Sequence, residues 1–368
     1  MRAIITGTVG LDKAPFLEQV CRLAQEQNCQ INLCHVGALM YAEAPDVAPG
    51  RILDLPLARL HQLRRSVFKD ILALAEKQEN LIVNTHATFR WKHGLFPAFD
   101  FDQLVQFNAD MYICLIDNVD AVHSRLLRDH QLDHSLKDLL VWREEEILAT
   151  EMMMMGCNLK RTPPKAKFYL VALGHNHNTA TSLYRLLLQS QIPRVYLSFP
   201  MTHVSADKNI LNEIEKFRHS MAERFTVFDP ADLEEHQLYL DALAASERGQ
   251  KAMEVEILGS RLRLDVAEIL QVSGDIHAQI YARDFQLIDQ SDMIISYIPE
   301  LPDGKPALSS GVERELQHAY EATREVYVIW RPQVAPSPFI TETATKLFST
   351  NEEALHYFNG RNYIKHIV

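Results

Sequence analysis

Short apolar runs recur along the chain, and each is followed by a stretch in which apolar residues fall three and four apart. The runs at 3–6, 31–36, 81–86, 111–116 and 167–173 read as strands, and the stretches at 13–27, 57–77, 119–128, 136–155 and 179–189 read as helices. Strands that alternate with helices predict a parallel sheet covered on both faces. Near Ser190 the pattern starts again with the run RVYLSF. A helix at 208–222, a short strand at 226–228 and a long, mostly helical region to about 289 follow. A strand at 293–298, a helix carrying Glu315, a strand VYVIW and two short helices at 341–348 and 352–358 complete the pattern. The fold class expected is α/β in two domains, 1–190 and 194–368, the second smaller.

Composition narrows the function classes. The 368 residues are 47% hydrophobic and 23% charged, enough for two separate cores. A net charge of -11 argues against a nucleic-acid or anionic-membrane surface. The first residues lack the apolar core of a signal peptide and no run reaches the length of a membrane span, so a cytoplasmic protein is expected. Five cysteines without CxxC pairs indicate neither a zinc site nor a disulfide framework. His175 and His177 have metal-like spacing, but they fall in an Asn-rich turn before a helix, and no metal is expected. The methionine run 152–155 reads as flexible core filling.

The loop GTVGLDKA approximates a phosphate-binding P-loop, in which glycines expose backbone N–H groups, a lysine meets the terminal phosphates and a hydroxyl holds magnesium. Gly7, Gly10 and Lys13 fit that scheme. Asp12 stands where a second glycine is required, and Ala14 replaces the hydroxyl. Around this loop the segments CHVGALM, NTHATFRWKHGLFPAF and HSRLLRD occur in an order and spacing that resemble archaeal-type adenylate kinases. The resemblance gives His86 and Arg90 to a monophosphate site and Arg125 and Arg128 to the lid, and it makes ATP with magnesium a possible ligand of the first domain. Asn84 replaces the family's aspartate, and DHQLDHS replaces a lid with further arginines. Phosphoryl transfer relies on positioned positive charge. The expectation is therefore a nucleotide-binding domain with impaired kinase activity.

In the second domain RVYLSFPMT, YARDFQLIDQSDMIISYI, SSGVERELQHA and VIWRPQ resemble, in order, nucleoside 2-deoxyribosyltransferases and the related 2'-deoxynucleoside 5'-monophosphate N-glycosidases. The resemblance implies a Rossmann-like, flavodoxin-like domain that needs no cofactor. Breaking a nucleoside C–N bond develops oxocarbenium character, so one carboxylate attacks or stabilises the anomeric carbon while an acid assists the departing base. By resemblance Glu315 is the nucleophile, Asp284 the acid and Tyr196 the residue that orients Glu315. Ser309, Gly311 and Asp292 fall on substrate-binding positions, and Ser337 matches a serine that one subunit lends to another, which implies a homo-oligomer with shared active sites. Plainer readings stand beside these: Tyr196 as a core tyrosine, Asp284 as a partner of Arg283, Asp292 as a strand cap. Phe199, where the family has glycine, and Glu313 and Gln317, where it has small residues, predict a narrower or more acidic pocket.

The leading expectation is hydrolysis or transfer at the N-glycosidic bond of a nucleoside or nucleotide. A non-catalytic nucleotide-binding regulator and a bifunctional kinase with glycosidase are the alternatives. Base, sugar and the choice between water and a second base as acceptor stay open, as do salvage and nucleotide depletion as the process served.

Overall fold

The computed structural model describes every residue except 92, 93, 131, 175–177, 202, 203, 205, 206, 258, 362 and 364–368. Its strands, in chain order, are β1 (Arg2–Thr6), β2 (Asn32–His35), β3 (Leu81–Asn84), β4 (Thr88–Trp91), β5 (Gly94–Pro97), β6 (Met111–Ile116) and β7 (Lys167–Ala172). There follow β8 (Arg194–Ser198), β9 (Thr226–Phe228), β10 (Ala252–Ile257), β11 (Ser260–Asp265), β12 (Met293–Ile298), β13 (Glu325–Trp330) and β14 (Lys346–Phe348). The chain is α/β, and it divides into two compact units. One comprises Met1–Gly174 with Leu233–His277, and the other His175–Asp232 with Ala278–Val368.

The first unit is built on a five-stranded sheet in the order β2-β3-β1-β6-β7, with all pairs parallel. Its central strands are apolar on both faces, as a sheet covered by helices requires: Ala3, Ile4 and Ile5 of β1 and Tyr112–Leu115 of β6 are wholly buried. The helices Leu57–Ala75 and Leu136–Asn158 supply Phe68, Ile71 and Met153 to one cluster with Leu81, Val83 and Tyr112. Of the methionine run, Met153 is buried and Met154 partly so, whereas Met152 and Met155 are more than half exposed, so the core-filling expectation holds for the middle of the run alone. Three of the five free cysteines, Cys34, Cys114 and Cys157, are buried.

Residues 233–277, which the helical reading assigned to the second domain, pack with the first unit. Part of this stretch is an antiparallel hairpin, β10 with β11. AMEVEI and SRLRLD alternate apolar and polar residues at period two, which is a strand signal. The hairpin places Ile257, Leu262 and Leu264 inward. Glu235 ties the stretch down: its buried carboxylate accepts from both Arg143 terminal nitrogens (2.6 and 3.0 Å) and from Val119 N (2.9 Å).

The second unit has a five-stranded parallel sheet, β14-β13-β12-β8-β9. Counted from β8, the order is 2-1-3-4-5, so the winding reverses between β8 and β12. In such sheets ligands bind at that reversal, outside the carboxyl ends of the strands. The C-terminal strand β14 replaces the end of the helix expected at 341–348, and its Phe348 joins a core with Tyr327 and Phe358.

Candidate functional site

At the reversal in the second unit, Ser198 closes β8 and pairs in register with Ser296 of β12. The helix Ser310–Glu321 enters beside them, capped by Ser309, whose hydroxyl accepts from Val312 N at 3.3 Å. One and a half turns in, Glu315 turns its carboxyl toward the strands. Tyr196 Oη donates to Oε1 at 3.0 Å and Ser198 Oγ to Oε2 at 2.6 Å, and Ser296 Oγ donates in turn to Ser198 Oγ at 3.3 Å. Both carboxyl oxygens are thus held by hydroxyl donors from the sheet.

Asp284 lies on the helix Ser273–Asp289, 8% exposed, with its carboxyl 3.2 Å from Arg283 Nε. The pairing with Arg283 foreseen as the plain reading is therefore present, in a buried setting rather than on a surface. Burial raises the Asp284 carboxyl above its ordinary range, against the pull of Arg283. Burial and the nearby Asp284 charge push Glu315 up to about 8, and the Ser198 and Tyr196 hydrogen bonds oppose that rise. Two neighbouring carboxyls are thus both raised, the kind of arrangement by which such a pair acquires separate acid and base duties.

Glu315, Asp284, Tyr196 and Ser309 are brought to this end of the sheet. Gly311 follows in the first turn, where an added Cβ would meet only Ser309 Oγ, at 3.6 Å. Asp292 is not part of the site. It precedes β12 at the opposite, N-terminal end of the strands, where its carboxylate accepts from Arg194 N (2.8 Å) and Arg194 Nε (3.0 Å); four residues of strand, about 13 Å, separate it from Ser296. Ser337 is exposed at the start of the short helix Pro338–Thr341, and among the described residues no hydrogen bond joins it to the residues around Glu315.

The narrowed, more acidic pocket is also corrected. Phe199 is buried against Phe217 in the core, and Glu313 and Gln317 are exposed on the outer face of their helix, where Gln317 donates to Glu321 at 2.8 Å. Glu313 stands in the first helical turn, where a negative charge favours the helix dipole. Ser198 is the residue that sequence reading missed. Its hydroxyl lies at the end of an apolar strand, and nothing in the pattern marks it.

In the first unit the P-loop residues converge but satisfy one another. Gly7 and Gly10 have φ of 141° and 86°, conformations that suit glycine. A Cβ on Gly7 would lie 2.7 Å from Leu115 O. Asp12, in place of the second required glycine, is left-handed at φ 49° and precedes the helix Lys13–Glu26. Lys13 is buried with its ammonium folded back on its own loop, donating to Gly7 O at 2.8 Å and to Thr85 O, with His86 Nδ1 at 3.3 Å. Burial lowers Lys13 to about 8, partly offset by Glu146. His86 contacts Gly7 O at 2.7 Å and is lowered to about 3 by burial and the Lys13 charge, so it is neutral.

The arginines are likewise engaged by acids. Arg125 meets Asp117 at 2.7 Å, Asp12 at 3.3 Å and Gly10 O at 3.1 Å; Arg128 meets Asp129 at 2.7 Å and Asp12 at 3.9 Å. Arg90 pairs with Glu145 and lies over the Trp142 ring. A second residue unseen in the sequence, Glu146, is wholly buried and accepts from Gly7 N (3.2 Å), Ala87 N (2.7 Å), Thr88 N (3.0 Å) and Thr88 Oγ1 (2.7 Å). A protein carboxylate thus takes backbone donors at the mouth of the loop. Three consecutive glutamates, 144–146, hid which one points inward.

These residues do not fit magnesium-assisted phosphoryl transfer. The metal-side hydroxyl is absent at Ala14, and Asp12 sets a negative charge where phosphates would lie. Among the described residues no group of three or more metal-ligating side chains occurs, and no helix is long and apolar enough to cross a membrane. His175 and His177 lie outside the described residues.

Comparison with known proteins bears on this first unit. A family model described as an AAA domain matches residues 13–142. Adenylate kinase of Pyrococcus furiosus is 27% identical over 139 residues, covering 36% of this chain and 68% of that protein. Among solved structures, shikimate kinase from Bacteroides thetaiotaomicron aligns at 16% identity and a TM-score of 0.30, over 51% of this chain and 97% of that one. The first unit is thus similar to P-loop, kinase-like domains such as adenylate kinase.

Proposed function

We propose that the second unit cleaves the N-glycosidic bond of a nucleoside or nucleoside 5'-monophosphate, as a domain of the nucleoside deoxyribosyltransferase type. The observation that carries this reading is the Glu315 carboxyl, held through both oxygens by Tyr196 and Ser198 beside a second buried carboxyl, Asp284, at the reversal of a doubly wound sheet. The proton that Glu315 carries at neutral pH passes to Asp284 as Glu315 becomes the nucleophile. The C1'–N bond breaks with its electron pair going to the base, Asp284 protonates that base, and a Glu315 oxygen bonds to C1'. Water or a second base, giving up a proton to the Asp284 carboxylate, then bonds to C1' and displaces Glu315. Ser309 and the open backbone at Gly311 are the groups suited to a 5'-phosphate.

Incubation with ribo- and deoxyribonucleosides and their monophosphates, followed by chromatography for free base, tests the reading. Release from at least one of them is expected, and release from none would sink it. The rate should fall as pH rises through about 8, because the Glu315 proton that is to reach the departing base is lost there. Tyr196→Phe removes a hydrogen bond that favours ionised Glu315. It should slow release by about 10–100-fold and move the alkaline limb to higher pH; a slowed enzyme with an unmoved limb would contradict the assignment.

The first unit is read as a nucleotide-binding partner domain whose phosphoryl transfer is suppressed. The likeness to adenylate kinase favours a second reading, an active kinase fused to the glycosidase. Its necessary observation is ATP-dependent conversion of a monophosphate to a diphosphate. None is expected, because Lys13 is committed to Gly7 O and Thr85 O and the arginines to acids.

A further inference from the structure

The steps at Glu315 leave one buried cation beside them unused, Arg283. Its side chain is 7% exposed on the helix Ser273–Asp289, and among the described residues it has one hydrogen-bond acceptor, the Asp284 carboxyl, 3.2 Å from its Nε. A guanidinium carries its N–H donors in a fixed planar fork, and those on the two terminal nitrogens of Arg283 have no acceptor among the described residues. Buried donors are as a rule matched. The place of this one is also particular: Nε holds the acid of the carboxyl pair, and the guanidinium charge acts on Tyr196, whose hydroxyl donates to Glu315 at 3.0 Å. The missing acceptor therefore belongs to what binds at the pair.

We propose that Arg283 reads the departing base and selects the 6-oxopurines, guanine and hypoxanthine, over adenine. This rests on the glycosidase reading of the Glu315 site. With Nε on one Asp284 oxygen, the other oxygen brings its proton to the base next to the terminal N–H groups of Arg283, so the protein offers two neighbouring donors. Guanine and hypoxanthine answer with two neighbouring acceptors, N7 and O6. N7 takes the Asp284 proton as the electron pair of the C1'–N9 bond goes to the ring, and O6 accepts a hydrogen bond from Arg283, which keeps its own protons. Adenine turns an amino group to the guanidinium instead. A donor then faces a donor, and Arg283 stays unmatched.

Inosine and adenosine present this edge with position 6 alone changed, so the release of hypoxanthine and of adenine by the full chain, compared for the ribo and deoxy forms with and without a 5'-phosphate, tests the proposal. On whichever sugar is accepted, kcat/KM for hypoxanthine release should exceed that for adenine release by about 10–100-fold. Arg283→Met should bring the two values together, whereas an arginine with a structural role alone would slow both alike and leave their ratio standing. Arg283→Lys keeps a cation against Asp284 without the fork and should lose most of the preference; it decides the matter if the methionine variant does not fold. Adenine released as fast as hypoxanthine by wild type, release confined to pyrimidine substrates, or a ratio unchanged in Arg283→Lys overturns the role of Arg283 and leaves the glycosidase reading standing. No base released from any substrate sinks that reading and this proposal with it.

Discussion

Glu315→Gln is expected to abolish base release, by a factor of about 10³ or more, and at the same time to stabilise the protein at alkaline pH. The first effect follows from loss of the nucleophile. The second follows from the raised carboxyl. Its folded value near 8 lies above the ordinary 4.5, so between those values the folded protein keeps a proton that the unfolded chain has released. Stability is therefore full below pH 4.5, falls as pH rises toward 8 and levels off above it. Glutamine carries no such penalty and removes the repulsion of Asp284. At pH 9 the variant should gain on the order of 3 kcal/mol, or about 5–10 °C in Tm, over wild type, and at pH 4.5 the two should melt together. Thermal unfolding across that range decides it. A variant less stable at pH 9 would mean that Glu315 is a structural residue.

The second large effect concerns Glu235→Ala. Glu235 is 1% exposed, and it answers both Arg143 terminal nitrogens and the Val119 N–H at the start of the helix Val119–Arg125. Truncation leaves a buried guanidinium without its carboxylate, a loss of about 3–5 kcal/mol. The first unit should melt about 10 °C lower in calorimetry. Replacing both partners with apolar residues, Glu235→Leu with Arg143→Met, should recover most of that loss, since a buried ion pair adds little over well-packed apolar side chains. If Glu235→Ala melts at the wild-type temperature, the 233–277 stretch is not held in the first unit by this contact.

Regular repetition made most of the fold legible. Except for β14 and the half-buried edge strand β2, every strand of the two large sheets is a mainly apolar run in the sequence, because a strand buried on both faces must be apolar. β14, at three residues, is too short to carry a pattern of its own. The β10–β11 hairpin was masked by neighbouring helical stretches, although its alternation is plain once isolated. Which part of the chain a segment packs against is not local information, and residues 233–277 show it: their attachment runs through Glu235 to Arg143, 92 positions away.

The candidate site was legible where a motif fixed both residue and neighbourhood. The spacing from Ser309 to Glu315 gave a capped helix with a carboxyl directed to the sheet. Asp292 looked equivalent in sequence because it adjoins the same strand, but an acid before a parallel strand and one after it stand at opposite ends of the sheet. Ser198 and Glu146 escaped for a related reason. Their importance lies in what the fold brings to them, Glu315 for one and the N–H groups of Gly7, Ala87 and Thr88 for the other.

The most direct test of the central claim is the quantity of free base released from nucleoside monophosphates by wild type and by Glu315→Gln, assayed together at pH 7. Base release by wild type that vanishes in the variant is the result predicted. Undiminished release by Glu315→Gln, or no release by wild type, would contradict it.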